Sequence, residues 1–311
     1  MDSHGARVCP RYDRVESGAR CTMPGDQTAA NTSYKSAGEQ AAGAARPPVW
    51  RPTPLVAFSF ALHGAAGALA VVAPALWPWA LGAVAANHAV LTAAGLWPRA
   101  SLLGPNLVRL PPPSVAQRQI ALTFDDGPDP EATPRVLDLL DAAGARASFF
   151  CIGRRARQYP ALVREIVARG HRVENHGDAH TKMFATYGLR RLRADIGGAQ
   201  ATLADLTGQR PRFFRPLGGM RTPLLDPVLT RLDLRLASWT RRGFDSVHGD
   251  PARVYGRLVR GLAPGDILLL HDGDAARTRE GKPVTLAVLP RLLTAIREAS
   301  MQPVTLAEAV P

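Results

Sequence analysis

Seven short apolar runs separated by helical segments recur between residues 118 and 308, and this alternation restricts the fold more than any other feature of the chain. The runs at 120–124, 147–152, 172–175, 212–214, 234–239, 267–270 and 303–306 have the length of buried strands. The segments at 133–143, 161–169, 189–206, 223–232, 252–262 and 285–299 have the length of helices. Strands that alternate with helices pair in parallel, so this part of the chain predicts an α/β sheet, either open or closed as a barrel.

A second region is different in kind. From Thr53 to Pro98 there is no Asp, Glu, Lys or Arg. A bilayer core takes roughly 20 apolar residues per helix, so this span is long enough for two crossings. Pro74 and Pro78 interrupt it at the midpoint, beside Trp77 and Trp79, and Trp50 and Trp97 flank its ends. Proline breaks a helix and indoles suit the water–lipid boundary, so the reading is a transmembrane helical hairpin over residues 53–98. Arg46 and Arg51 precede it, Arg99 and Arg109 follow it, and the turn carries no cation. By the positive-inside rule both ends then face the cytoplasm of a bacterial-type inner membrane. Residues 1–46 are rich in Gly, Ala, Ser and Thr without a hydrophobic period and read as a disordered tail. Residues 99–117, with Pro111, Pro112 and Pro113, read as a linker to a catalytic domain at 118–311.

The formal charge of +12 favours acidic partners such as anionic lipid. Nucleic acid fits poorly, because no binding module is recognisable and aromatics make up only 6% of the chain, too few for base stacking. Cys9, Cys21 and Cys151 match neither a disulfide framework nor a zinc motif. Cys151 ends a strand without a partnering base in the pattern and reads as a core residue.

The polar residues that stand out lie at the C-terminal ends of predicted strands, where parallel barrels assemble their sites. Asp125 and Asp126 follow the first strand, His176 and His180 the third, and Arg215 the fourth, while Trp239 closes the fifth and His271 the sixth. Singly each has an ordinary explanation. Asp125-Asp126-Gly127-Pro128 makes a turn, the two histidines sit at the surface or in the core, and Arg215 pairs with a surface acid. Together they supply one carboxylate and two imidazoles for a metal ion, with a carboxylate, an imidazole and a guanidinium to spare. Two histidines and a carboxylate leave positions open for water and substrate, and a divalent ion lowers the pKa of water and polarises a carbonyl. A second Asp can serve as base and a separate His can protonate a leaving nitrogen. That is the apparatus for hydrolysing an amide without a covalent intermediate. No Gly-x-Ser-x-Gly elbow is present to support a serine hydrolase.

Thr123-Phe124-Asp125-Asp126-Gly127-Pro128, His176-Gly177-Asp178-Ala179-His180, Arg215-Pro216-Leu217-Gly218-Gly219 and Leu269-Leu270-His271-Asp272 resemble, in order, the motifs of the polysaccharide deacetylases, the NodB-homology group or carbohydrate esterase family 4. The resemblance covers about residues 118–308 and implies a distorted (β/α)7 TIM-like barrel. It implies that Asp125 is the general base, that Asp126, His176 and His180 are the metal ligands, that Arg215 orients Asp125, and that His271 is the general acid. A backbone N–H near Gly218 would stabilise the oxyanion. The metal it implies is zinc, with cobalt, nickel or manganese as alternatives. The chain departs from the pattern at several places. Leu217 and Gly218 replace a proline and an aromatic, predicting a more open substrate wall, and Gly177 lacks a hydroxyl often found there. Arg242 stands where an Asp commonly tunes the acid histidine, and Asp245 is the nearest substitute.

The function expected is removal of an N-acyl group, most simply acetyl, from an amino sugar in a polysaccharide or a lipid-linked saccharide. Membrane lipid is the other expected partner, and no protein partner is predicted. The competing expectation is a catalytically inactive carbohydrate-binding membrane protein on the same fold, which would be expected to lose Asp125, Asp126 or a metal histidine. All of these are present.

Overall fold

A computed structural model describes residues 49–311. The tail at 1–46, with Cys9 and Cys21, lies outside the described residues. Two helices come first, α1 (Pro54–Val72) and α2 (Trp77–Leu96), joined by a single 3-10 turn at Pro74–Leu76. Thr53 caps α1 through its hydroxyl, and prolines occupy the first turn of both helices, where a missing N–H costs nothing. At about 1.5 Å per residue, 19 and 20 residues reach close to the thickness of a bilayer core, and both helices are apolar enough to cross one. Phe58, Phe60, Val71, Val72, Trp77, Trp79, Leu81 and Val90 face outward. Between the helices Val56 packs in one apolar cluster with Leu91 and Ala94, and two polar contacts join them as well. Asn87 Nδ2 donates to Ser59 Oγ at 2.8 Å, and the His63 and His88 rings meet Nε2 to Nε2 at 3.1 Å.

The remainder is an α/β domain. Its strands are β1 (Gln119–Asp125), β2 (Ser148–Cys151), β3 (Arg172–Asn175), β4 (Phe213–Phe214), β5 (Arg235–Leu236), β6 (Arg241–Arg242), β7 (Ile267–His271) and β8 (Gln302–Val304). Its helices are α3 (Pro112–Ala116), α4 (Thr133–Ala142), α5 (Gly153–Gln158), α6 (Pro160–Ala168), α7 (Leu189–Thr207), α8 (Leu225–Arg231), α9 (Pro251–Val259), α10 (Val284–Glu298) and α11 (Leu306–Ala309). Every strand pairing is parallel, in the order β5-β4-β3-β2-β1-β7-β6, with β8 added along the start of β1. This is a curled half-barrel. The two ends of the path, β5 and β6, are consecutive in the chain but unpaired, and the run predicted at 234–239 is only two residues of β5 followed by a separate β6. Eight strands therefore stand where seven were expected.

The core explains why the short apolar runs became strands buried on both faces. Phe124 stacks on Phe149 with ring centroids 5.0 Å apart, and Leu122, Leu268 and Leu270 are sealed beneath α4, α9 and α10. Cys151 is buried in this cluster as expected, and burial pushes its thiol well up, so it is no nucleophile.

Residues 99–117 are held along the domain rather than standing off it. Leu107 pairs with Ala237 as an isolated parallel bridge, and Leu110 N–H donates to the Gly265 carbonyl at 2.8 Å. The hairpin base is fastened too. Trp50 Nε1 donates to Asp226 Oδ2 at 2.8 Å, Arg221 N–H to the Gly95 carbonyl at 3.0 Å, and Ser238 Oγ to the Pro98 carbonyl at 2.6 Å.

Candidate active site

Register brings the site together. Asp125 is level with Phe150 on β2 and His271 on β7, and Asn175 is level with Cys151 and Phe214. The residues at or just past these strand ends therefore share one rim, although they lie far apart in the chain.

At the centre are Asp126, His176 and His180, whose ligand atoms all lie within 4.8 Å of one another. His176 Nε2 is 3.1 Å and His180 Nε2 2.9 Å from the same oxygen, Asp126 Oδ1. The His176 ring donates from Nδ1 to the Arg215 carbonyl at 2.6 Å, so in the neutral ring Nε2 is a lone pair facing a carboxylate. His180 Nε2 is buried and makes no hydrogen bond despite its position. Two imidazoles and a carboxylate converging on one point are a group that could hold a metal ion. The mix of imidazole and carboxylate suits zinc and its neighbours in the first transition row. Two of the three backbones sit in the left-handed region, Asp126 at φ 73° and His180 at φ 48°, a strain that loops accept where they must aim a side chain.

The loop from His176 to His180 is a turn, not a helix, and its shape has causes the motifs did not reveal. Asn175 Oδ1 accepts from Gly177 N–H at 2.8 Å, and the Asp195 carboxylate on α7 accepts from Asp178 N–H and Ala179 N–H at 3.1 and 3.0 Å. Gly177, at φ 80°, has no room for a Cβ, which would stand 2.7 Å from Asp195.

Asp125 lies beside this triad, its Oδ2 4.0 Å from His176 Nε2. Arg215 is fully buried and spends its guanidinium on four contacts: Asp125 Oδ1 at 2.7 Å, Thr123 Oγ1 at 2.9 Å, and the carbonyls of Ala237 and Ser238 at 3.0 and 2.8 Å. It also stacks over Phe150 with its carbon 4.0 Å from the ring centre. Arg215 is therefore no surface salt-bridge partner; it fixes one oxygen of Asp125 and leaves the other free.

Across the cleft, His271 Nε2 is 4.0 Å from Asp126 Oδ2, and its Nδ1 is 2.8 Å from Asp245 Oδ1. Asp245 Oδ2 accepts from His271 N–H at 2.7 Å and from Thr285 Oγ1 at 2.9 Å. Burial pushes this imidazole down, but the Asp245 carboxylate, together with Asp126 and Asp125, more than offsets it and the group sits at about 9. Asp245 thus occupies the place left by Arg242, which instead lies over the Trp239 and Phe244 rings. Thr285, at the start of α10, and Asp195 are supporting residues that no motif in the sequence announced.

Asp272, the last residue of the fourth motif, is buried and accepts from Thr133 Oγ1 at 2.6 Å, and burial pushes it up to about 7. A Cβ at position 127 would stand 2.2 Å from this carboxylate, which is why the turn after Asp126 needs glycine. On the substrate wall Gly218 is exposed, as an open rim requires, while Gly219 beneath it is closed in by Pro98 and Trp239.

Comparison with known proteins points to one family. The polysaccharide deacetylase family model matches residues 113–237. A peptidoglycan-N-acetylglucosamine deacetylase of Bacillus cereus is 32% identical over 195 residues, covering 62% of this chain and 88% of that protein. A chitooligosaccharide deacetylase of Azorhizobium caulinodans is 34% identical over 197 residues, covering 60% and 93%. Among solved structures, a family 4 carbohydrate esterase from Streptomyces lividans in complex with acetate superposes with a TM-score of 0.54 at 30% identity, covering 60% and 91%.

Proposed function

This chain belongs to the polysaccharide deacetylase family of hydrolases, and from that membership we propose that it removes the N-acetyl group from an amino sugar carried on a lipid-linked saccharide at a membrane. The observation that carries the chemistry is the Asp126–His176–His180 cluster with the His176 tautomer fixed by the Arg215 carbonyl. The membrane reading is supported by the two apolar helices at 54–96 and the charge of +12.

A divalent ion held by the three residues supplies a Lewis acid for the amide carbonyl and for water. Asp125, with one oxygen engaged by Arg215, takes a proton from the attacking water as its oxygen adds to the carbonyl carbon. A backbone N–H beside Gly218 is assigned to the oxygen that turns negative. His271, held through Nδ1 by Asp245, gives its Nε2 proton to the leaving nitrogen. The C–N bond then breaks, leaving acetate and the free amine.

Two measurements test this. Purified protein releases acetate from an N-acetylated lipid-linked amino sugar, a chelator abolishes the release, and added zinc or cobalt restores it. No acetate from any acetylated amino sugar under those conditions would instead favour an inactive carbohydrate-binding protein. The second concerns the acid. Asp245 holds the His271 imidazole above its ordinary pKa, so kcat/KM is expected to fall on an alkaline limb as that proton is lost. Asp245→Asn removes the charge that holds the group up, and the limb moves to lower pH. An unmoved limb would take the acid role away from His271.

A second reading has its own support. The relatives named above act on peptidoglycan and chitooligosaccharide, and a domain facing outward could reach such polymers. The cations flanking the hairpin favour the cytoplasmic face instead, and a topology reporter at the C-terminus distinguishes the two.

A further inference from the structure

A cavity of about 550 Å³ lies between the apolar hairpin and the catalytic domain, within the size range of small-molecule sites. Phe60, Leu91 and Leu96 line it from the hairpin; Tyr187, Met220 and Leu224 line it from the domain. The histidines on the hairpin wall are occupied with each other, and His63 Nδ1 also meets the Ser59 carbonyl at 2.7 Å, so that wall presents mainly hydrocarbon.

Two chain stretches connect this cavity to the metal cluster. The first runs from His180 through Thr181, whose hydroxyl meets the Tyr187 hydroxyl at 2.6 Å, to the cavity wall at 185–188. The second runs from Arg215 and Gly218 to Met220–Leu224, and is tied to the hairpin where Arg221 N–H donates to the Gly95 carbonyl. Cations flank the first of these stretches. Lys182 is two residues past His180 and exposed, and the exposed Arg191 places its guanidinium 3.8 Å over the Tyr187 ring.

Resting on the lipid-linked reading above, we propose that this cavity seats the hydrocarbon chain of the substrate itself. Along the chain the order is the metal-cluster residue His180, the cation Lys182 and the groove wall at 185–188, which matches sugar, phosphate, tail in a lipid-linked saccharide. The hairpin is then one wall of the substrate site as well as an anchor. The apolar wall removes the chain from water, and Lys182 and Arg191 meet the phosphate.

The test uses the full chain in detergent and two probes with the same head. One is N-acetylglucosamine joined through a phosphodiester to a long polyprenol, and the other is the same sugar phosphate as its methyl ester. Thr92→Trp fills the groove from α2 and Ala185→Trp fills it from the domain side. Each is expected to lower kcat/KM for the polyprenyl probe at least about tenfold while leaving the methyl ester within about twofold. If the wild type hydrolyses the polyprenyl probe and neither variant changes it, the groove is not the tail site although the substrate reading stands. Equal losses on both probes would mean that the groove affects catalysis without holding the tail, and would overturn the proposal. A wild type that turns over the methyl ester and ignores the polyprenyl probe would remove the lipid-linked reading, and the groove proposal with it.

Discussion

Asp125→Asn is expected to lower kcat/KM for deacetylation by about 10²–10⁴-fold, the usual worth of a positioned general base, without loss of bound metal. The expectation follows from a division of labour between adjacent carboxylates. Asp126 Oδ1 faces two imidazoles at 3.1 and 2.9 Å, whereas Asp125 Oδ1 faces the Arg215 guanidinium at 2.7 Å and Asp125 Oδ2 stands 4.0 Å from His176. Asparagine keeps the Arg215 contact through its amide oxygen but carries no charge and cannot take a proton. Asp126→Ala should behave differently, losing the metal and activity together, because it removes one of three ligands. Metal content by mass spectrometry and acetate release measured on the same preparations separate the two. If Asp125→Asn lost the metal as well, or Asp126→Ala kept it, the roles given to this pair would be wrong.

Arg215→Met is expected to cost about 3–5 kcal/mol of folding stability, as removal of one partner of a buried ion pair generally does. Arg215 has no solvent exposure, and four hydrogen bonds converge on it from β1 and from the chain between β5 and β6. Methionine fills the space over Phe150 but leaves the Ala237 and Ser238 carbonyls and the Asp125 carboxylate without a donor. Much of the loss therefore belongs to an uncompensated buried charge, and the double variant Arg215→Met with Asp125→Asn should be more stable than Arg215→Met alone. Denaturant unfolding of the four proteins closes the cycle. A double variant no more stable than the single one would mean that the guanidinium serves the two carbonyls and not Asp125. Activity adds a second readout, since the Arg215 guanidinium holds Asp125, while the backbone carbonyl that fixes the His176 ring is kept in the variant.

Much of this protein is written locally. The apolar runs became strands and the longer segments between them became helices because side-chain periodicity follows from backbone geometry within a few residues. The uncharged span at 53–98 became two helices of membrane length because neither proline nor charge interrupts them except at the turn. Asp125, Asp126, His176, His180, Arg215 and His271 were legible for the same reason, since each sits at or close to the end of a strand whose existence the local pattern reveals.

What only the tertiary structure decided depends on pairs far apart in the chain. Asp245, the nearest substitute the sequence offered, reaches His271 because β6 pairs with β7 and the chain beyond it turns back, a placement that spacing alone does not decide. Asp195 and Thr285 shape the site from helices α7 and α10, where an isolated polar residue carries no motif. The missing rung between β5 and β6, and the groove between α2 and the loops at 185–188 and 220–224, likewise arise from packing among elements. Local propensity is a property of a few neighbouring residues, whereas the position of one element against another is settled by the burial of both, and that balance is struck only when the whole chain is folded.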